Sequence, residues 1–138
     1  MKKHYLHCVF EGEEIAYQVV MPAVRQYLRM FAENEAGLLE VAIAEAISNA
    51  VRASGKHSVH LTMYIHSSHE LIVQIRDHGK GFNVDKAMSR VDEMDRDLSE
   101  EALFAESGRG LWVIRQVFDE VQFNPPGNKV NLIKNLTI

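Results

Sequence analysis

The chain has 138 residues, enough for one domain with a true core and too short for two of ordinary size. At 46% hydrophobic and 25% charged it has the balance of a soluble globular protein, and its formal charge of −4 opposes nucleic acid or an anionic membrane as main partner. A single cysteine, Cys8, excludes an internal disulfide, and no apolar run approaches the length needed to cross a bilayer. The opening residues MKKHYLHCVFEGEE lack the apolar core of a signal peptide, so a cytoplasmic location is expected.

Residues 4–10 (HYLHCVF) read as a first strand. A helical pattern follows from Glu13 to Glu33, with Val24, Leu28 and Phe31 at helical spacing; Pro22 either opens a helix near Met21 or kinks a longer one. The clearest helix is GLLEVAIAEAISNAVRASG, Gly37 to Gly55, rich in good helix formers and closed by Ser54-Gly55. Two alternating strands come next. Val59, Leu61, Met63 and Ile65 share one face, and Leu71, Val73 and Ile75 another, with Ser67-Ser68-His69-Glu70 as a hairpin link. From Asn83 to Glu106 the chain is acidic and weakly periodic, which reads as a lid or binding loop. A third helix, LWVIRQVFDEV, is expected to carry Leu111, Ile114, Val117 or Phe118, and Val121 on one side. A short strand near Val121–Phe123, a Pro-Pro-Gly-Asn turn and a last strand from Lys129 to Ile138 complete the chain. The order predicts a single α+β domain over 1–138, a two-layer sandwich of mostly antiparallel sheet with helices on one face.

Three stretches are chemically unusual. Glu45 and Asn49 stand four apart on the apolar helix, so they share a side one turn from each other. Alone, the pair is also what a solvated helix stripe looks like. The second stretch is Asp77-His78-Gly79-Lys80-Gly81, directly after a strand. An aspartate there can bond its own turn, or accept a hydrogen bond from an exocyclic amine such as that of adenine while the glycines admit a flat ring. The third is Gly108-Arg109-Gly110 entering a helix, where backbone N–H groups form an anion site and Arg109 adds a charged donor. Its structural alternative is a loop that needs positive φ twice.

Taken in order, EAISNAV, DHGKGF and GRGLWVI resemble the N, G1 and G2 boxes of the GHKL superfamily of ATP-binding domains, over about Leu38 to Ile138. That superfamily includes gyrase-type ATPases, Hsp90, histidine kinases and MutL. The chain shows no phosphoacceptor-histidine hairpin, sensor or membrane segment, and so looks most like the stand-alone anti-sigma-factor serine kinases, the RsbW-like and SpoIIAB-like group. The resemblance implies ATP and Mg²⁺ as ligands. It implies Glu45 as general base toward a serine hydroxyl and Asn49 as the Mg²⁺ ligand. It places Asp77 on adenine N6 beside Gly79 and Gly81, with Ser107, Gly108, Arg109, Gly110 and Leu111 around the phosphates. The implied partners are a STAS-domain anti-anti-sigma factor, a sigma factor, or both, with a homodimer as the assembly.

Two departures stand out. The family often has His four residues after the box asparagine, where this chain has Ala53, and Gly-Thr before the last strand, where it has Gly127-Asn128. Other functions remain on the table: a non-catalytic interaction module on the same fold, and a detached histidine-kinase catalytic domain. The pairs His57/His60 and His66/His69 invite a metal reading, but residues three apart on a strand point to opposite faces. Trp112 is read as core or lid packing. The acidic run Asp92–Glu106 is read as a solvated lid, with a contact surface for a basic partner as the alternative.

Overall fold

The computed structural model describes residues 2–67, 69–96 and 109–137. Strand β1 (Lys2–Phe10) leads into a continuous helical stretch made of α1 (Gly12–Ile15), a π-helical segment (Ala16–Val20) and α2 (Met21–Phe31). Pro22 explains the composite. It lies in the first turn of α2, and a proline ring inside a helix collides with the carbonyl four residues back. The wider π turn immediately before it relieves that collision without breaking the run, so both readings of Pro22 hold in part.

A 3₁₀ turn (Glu33–Glu35) then opens α3 (Ala36–Ser54), and β2 (Val59–His66) and β3 (Glu70–Arg76) form the expected hairpin. Helices α4 (Val84–Arg96) and α5 (Arg109–Val117) precede β4 (Glu120–Phe123) and β5 (Lys129–Asn135). The strands make one five-stranded sheet in the order β1-β2-β3-β5-β4, antiparallel at every pairing. This is the predicted α+β architecture.

The core lies between the sheet and α2, α3 and α5. Val59, Leu61, Met63, Leu71, Val73 and Leu132 are fully buried on the inner sheet face, against Leu39, Ile43, Val24 and Leu28 from the helices. Period-two alternation in the strands and period-3.6 spacing in the helices bring these faces together. The outer face carries a polar rank in register, His7, Thr62, Gln74, Asn131 and Gln122. Tyr27 ties α2 to β1 by donating its hydroxyl to the His4 carbonyl at 2.5 Å, and burial pushes its pKa up to about 12.

Two expectations are corrected. The third helix stops at Val117, and Val121 belongs to β4. The Phe118 N–H still bonds back to the Ile114 carbonyl, but the Asp119 N–H has passed to the Ile133 carbonyl of β5, so sheet pairing ends the helix. The segment from Asn83 is also more regular than its sequence suggests. Asn83 Oδ1 accepts from the Lys86 N–H at 3.0 Å, an N-cap that starts α4, and Val91 and Met94 bury one stripe of it. The rest of the expected lid, residues 97–107, lies outside the described residues.

Candidate active site

Helix α3 is the spine of the site. Its buried stripe, Leu39, Ile43, Ile47 and Val51, packs on the sheet and so fixes the rotation of the helix. That rotation presents Glu45 and Asn49 to a cavity of about 400 Å³. Helix α5 covers the same place from its first turn. A Cβ on Gly110 would lie 2.9 Å from Glu45 Oε2 and 3.4 Å from Asn49 Nδ2, so the glycine lets the helix start seat against the pair without pushing the Glu45 carboxylate aside.

The other end of the cavity is built by the exit of β3. The Asp77 N–H donates to the Asn128 carbonyl at 2.9 Å, extending the β3–β5 ladder by one residue, and Asp77 Oδ1 accepts from the Gly79 N–H at 2.7 Å. Partial burial raises the Asp77 pKa above the ordinary 3.8, while the Gly79 N–H and the His78 charge pull it back. His78 anchors this loop to the end of α3: its N–H donates to Ser54 Oγ at 3.0 Å and its Nδ1 to the Ser58 carbonyl at 2.7 Å.

What the two glycines approach is the chain itself. A Cβ on Gly79 would sit 2.8 Å from the Ala53 carbonyl oxygen, and one on Gly81 1.5 Å from that of Pro126. Gly81 also has φ +81°, and its neighbour Phe82 donates its N–H to the Pro126 carbonyl at 2.9 Å. The Pro-Pro-Gly-Asn turn is held by Asn124, whose Oδ1 accepts from the N–H groups of Gly127, Asn128 and Lys129 at 3.0, 3.0 and 3.1 Å. Asn124 Nδ2 donates to Asn128 Oδ1 at 2.7 Å. The departure at position 128 therefore has a local use as a clasp.

Of the residues singled out from sequence, Glu45, Asn49, Asp77 and Gly81 line the cavity, as do Arg109, Gly110 and Leu111. Gly79 braces the wall from behind, and Ser107 and Gly108 lie outside the described residues. Between Glu45 and Ala53, beside Gly79, run eight residues of helix, roughly 12 Å at 1.5 Å each, so the cavity is elongated along α3.

Among the lining residues that the sequence reading does not assign to the site are Arg52, Arg90 and Phe82. Arg52 was within reach, since it stands three residues from Asn49 on the same helix, and its Nη2 donates to Asn49 Oδ1. Arg90 was not, because no helix was expected there. Phe82 meets Phe123 edge-on at 5.0 Å and supplies an apolar wall near Gly81. Arg52, Arg90 and Arg109 set three cations against the carboxylates of Glu45 and Asp77, a cationic wall in a chain of charge −4. An elongated slot with a carboxylate and aromatic wall at one end and a surplus of cations suits a nucleotide with several phosphates.

The comparisons with known proteins agree with that geometry. Residues 13–134 match the family described as histidine kinase-like ATPase domain, and the chain belongs to that family of ATP-binding domains. Among solved structures it is similar to the mycobacterial sensor histidine kinase MprB, with a TM-score of 0.54 at 15% identity over 95% of this chain and 98% of that one. At that identity the likeness is one of fold. No curated relative matches the chain. Among the described residues, no helix is long and apolar enough to cross a membrane.

Proposed function

We propose that this domain is an ATP-dependent protein serine/threonine kinase of the anti-sigma-factor type, acting on a serine of a STAS-domain antagonist, sequestering a sigma factor, or both. The observation that carries the reading is the placement of Glu45 and Asn49 on one cavity wall with the first turn of α5 seated against them. Bound ATP would supply the γ-phosphoryl group, and Mg²⁺ would neutralise charge on the phosphates. The chain's own residues then divide the work of positioning, which is most of what phosphoryl transfer requires. Glu45 takes the proton of the incoming serine hydroxyl as its oxygen bonds the γ-phosphorus and the bond from that phosphorus to the departing ADP breaks. Asn49 would offer the cation a hard amide oxygen, the atom that accepts from Arg52 Nη2 in the unliganded chain. Asp77 accepts from the adenine amine, and Arg109 and Arg90 hold phosphate oxygens.

The test has two stages. Calorimetric titration with ATP and ADP, with and without Mg²⁺, should show saturable Mg²⁺-dependent binding that the Asp77→Asn variant loses; absence of binding to folded protein ends the kinase reading. Phosphoprotein made from labelled ATP and a STAS-domain acceptor should then survive acid, as phosphoserine does. An acid-labile product would assign the chain to histidine phosphorylation instead, and tight sigma-factor binding with no transfer would make it an interaction module.

A further inference from the structure

The solvent side of α3 is unusual at its N-terminal half. Over the 19 residues of the helix the charged side chains are Glu40, Glu45 and Arg52. Each is engaged: Glu40 accepts from Arg25 Nε at 2.7 Å, Glu45 lines the cavity, and Arg52 bonds Asn49. What faces water before Glu45 is apolar. Leu38 is 68% exposed and Val41 54%, well above what a large aliphatic shows on a helix that packs its other faces. A helix apolar nearly all round is normally a covered one.

Gly37 extends the anomaly. A Cβ there would meet nothing within 4 Å, and its φ is not positive, so neither packing nor backbone geometry within the chain calls for glycine. Gly37, Leu38, Val41 and Glu45 follow one another along the same side of the helix. At 1.5 Å per residue, Val41 lies roughly 6 Å and Leu38 roughly 10 Å from Glu45 along the axis. The stripe is continuous with the reaction centre.

We infer that the stripe Gly37–Leu38–Val41 docks the phosphoacceptor protein and reads apolar side chains flanking the serine that meets Glu45. This rests on Glu45 serving as base in the proposed kinase reaction, and it adds the class of acceptor. The accepted hydroxyl sits on a surface with apolar residues one to two helical turns away, not in a charged sequence. Gly37 leaves the partner's backbone room to come close, and the absence of a free charge before Glu45 avoids stranding an ion under the partner.

The test uses the whole chain with labelled ATP and Mg²⁺ and two synthetic helical peptides. Each carries one serine, flanked at four and seven residues by leucine in one and lysine in the other. The leucine peptide should be phosphorylated with about tenfold or higher kcat/KM, the worth of burying one aliphatic side chain. The Leu38→Glu/Val41→Glu variant should lose that preference while binding ATP with unchanged affinity. Equal rates for the two peptides, or a preference that survives in the variant, overturn the inference. So does transfer to neither peptide by a protein that still binds ATP, whereas failure to bind ATP sinks the kinase reading itself. Sedimentation of both proteins supplies the remaining arm: a dimer that becomes monomeric in the variant would assign the stripe to a second copy of this chain and overturn the acceptor assignment.

Discussion

The two ends of the cavity are built differently. Around Asp77 the wall is a web of short internal bonds: Ser54 to His78, Asn124 to three successive N–H groups, and glycines pressed against the Ala53 and Pro126 carbonyls. Around Arg90 and Arg109 the wall is two helices joined by side chains at the surface. Trp112 Nε1 and Gln116 Nε2 both donate to Asp95 Oδ1 at 2.8 Å, and Arg115 pairs with Asp92 at 2.5 Å, with half of the Asp92 side chain exposed. Internal bonds in a packed loop leave one geometry, while exposed pairs contribute little and are readily exchanged. The Asp77 end is thus preformed, and the Arg90–Arg109 end is free to adjust.

That contrast can be broken or sharpened. The largest effect is expected at Glu45: Glu45→Gln should cut phosphoryl transfer by about 10² to 10⁴ and leave ATP affinity nearly unchanged. Single-turnover kinetics beside calorimetry would show this, and retained turnover would remove the base. Next, Asp77→Asn should weaken ATP binding by roughly ten- to a hundredfold, the worth of a hydrogen bond to a charged group.

The same variant has a second signature. Burial holds the Asp77 proton more tightly in the folded state, so its contribution favours folding below the ordinary carboxylate value of 3.8 and is lost as pH rises through the folded value. Thermal melts of the unliganded proteins should therefore find Asp77→Asn at least as stable as the parent at pH 7. They should also show its relative advantage shrinking in acid. A variant much less stable at neutral pH would mean that the carboxylate supports the loop.

Gly81→Ala tests how rigid the Asp77 end is. With φ +81° and the Pro126 carbonyl in the way, it should lose about 1–3 kcal/mol from backbone strain alone, read from denaturant unfolding. Tolerance without loss would mean that the loop yields easily. The smallest effect is expected at the other end, where Asp95→Ala should change unfolding free energy by less than about 1 kcal/mol, as for exposed polar contacts generally. A larger cost would show that α4 and α5 are locked together as firmly as the loop.

Much of the fold was legible in residue order. The alternation of Val59, Leu61, Met63 and Ile65 and the helical spacing of Leu39, Ile43 and Ile47 are local patterns, and burial follows them directly. Glu45 and Asn49 were readable as a pair because helix geometry alone puts them together. Helix α4 was missed because its apolar stripe is short among acidic residues, and its start depends on a side-chain cap at Asn83. Val121 fits the helical spacing of the third helix, but pairing with Leu132 of β5, eleven residues later, claims it for the sheet.

By itself, then, the sequence determined the order of strands and helices, the inner faces, and the three boxes that mark an ATP-binding domain. These depend on contacts within a few residues and on periodicity. Only the tertiary structure decided why the two loop glycines are glycines, which arginines join the cavity, and that Asn128, where the family often has Thr, is part of the clasp that holds the loop. It also decided that Leu38 and Val41 stay uncovered, because whether an apolar side chain faces core or water depends on how the whole helix is rolled against the sheet.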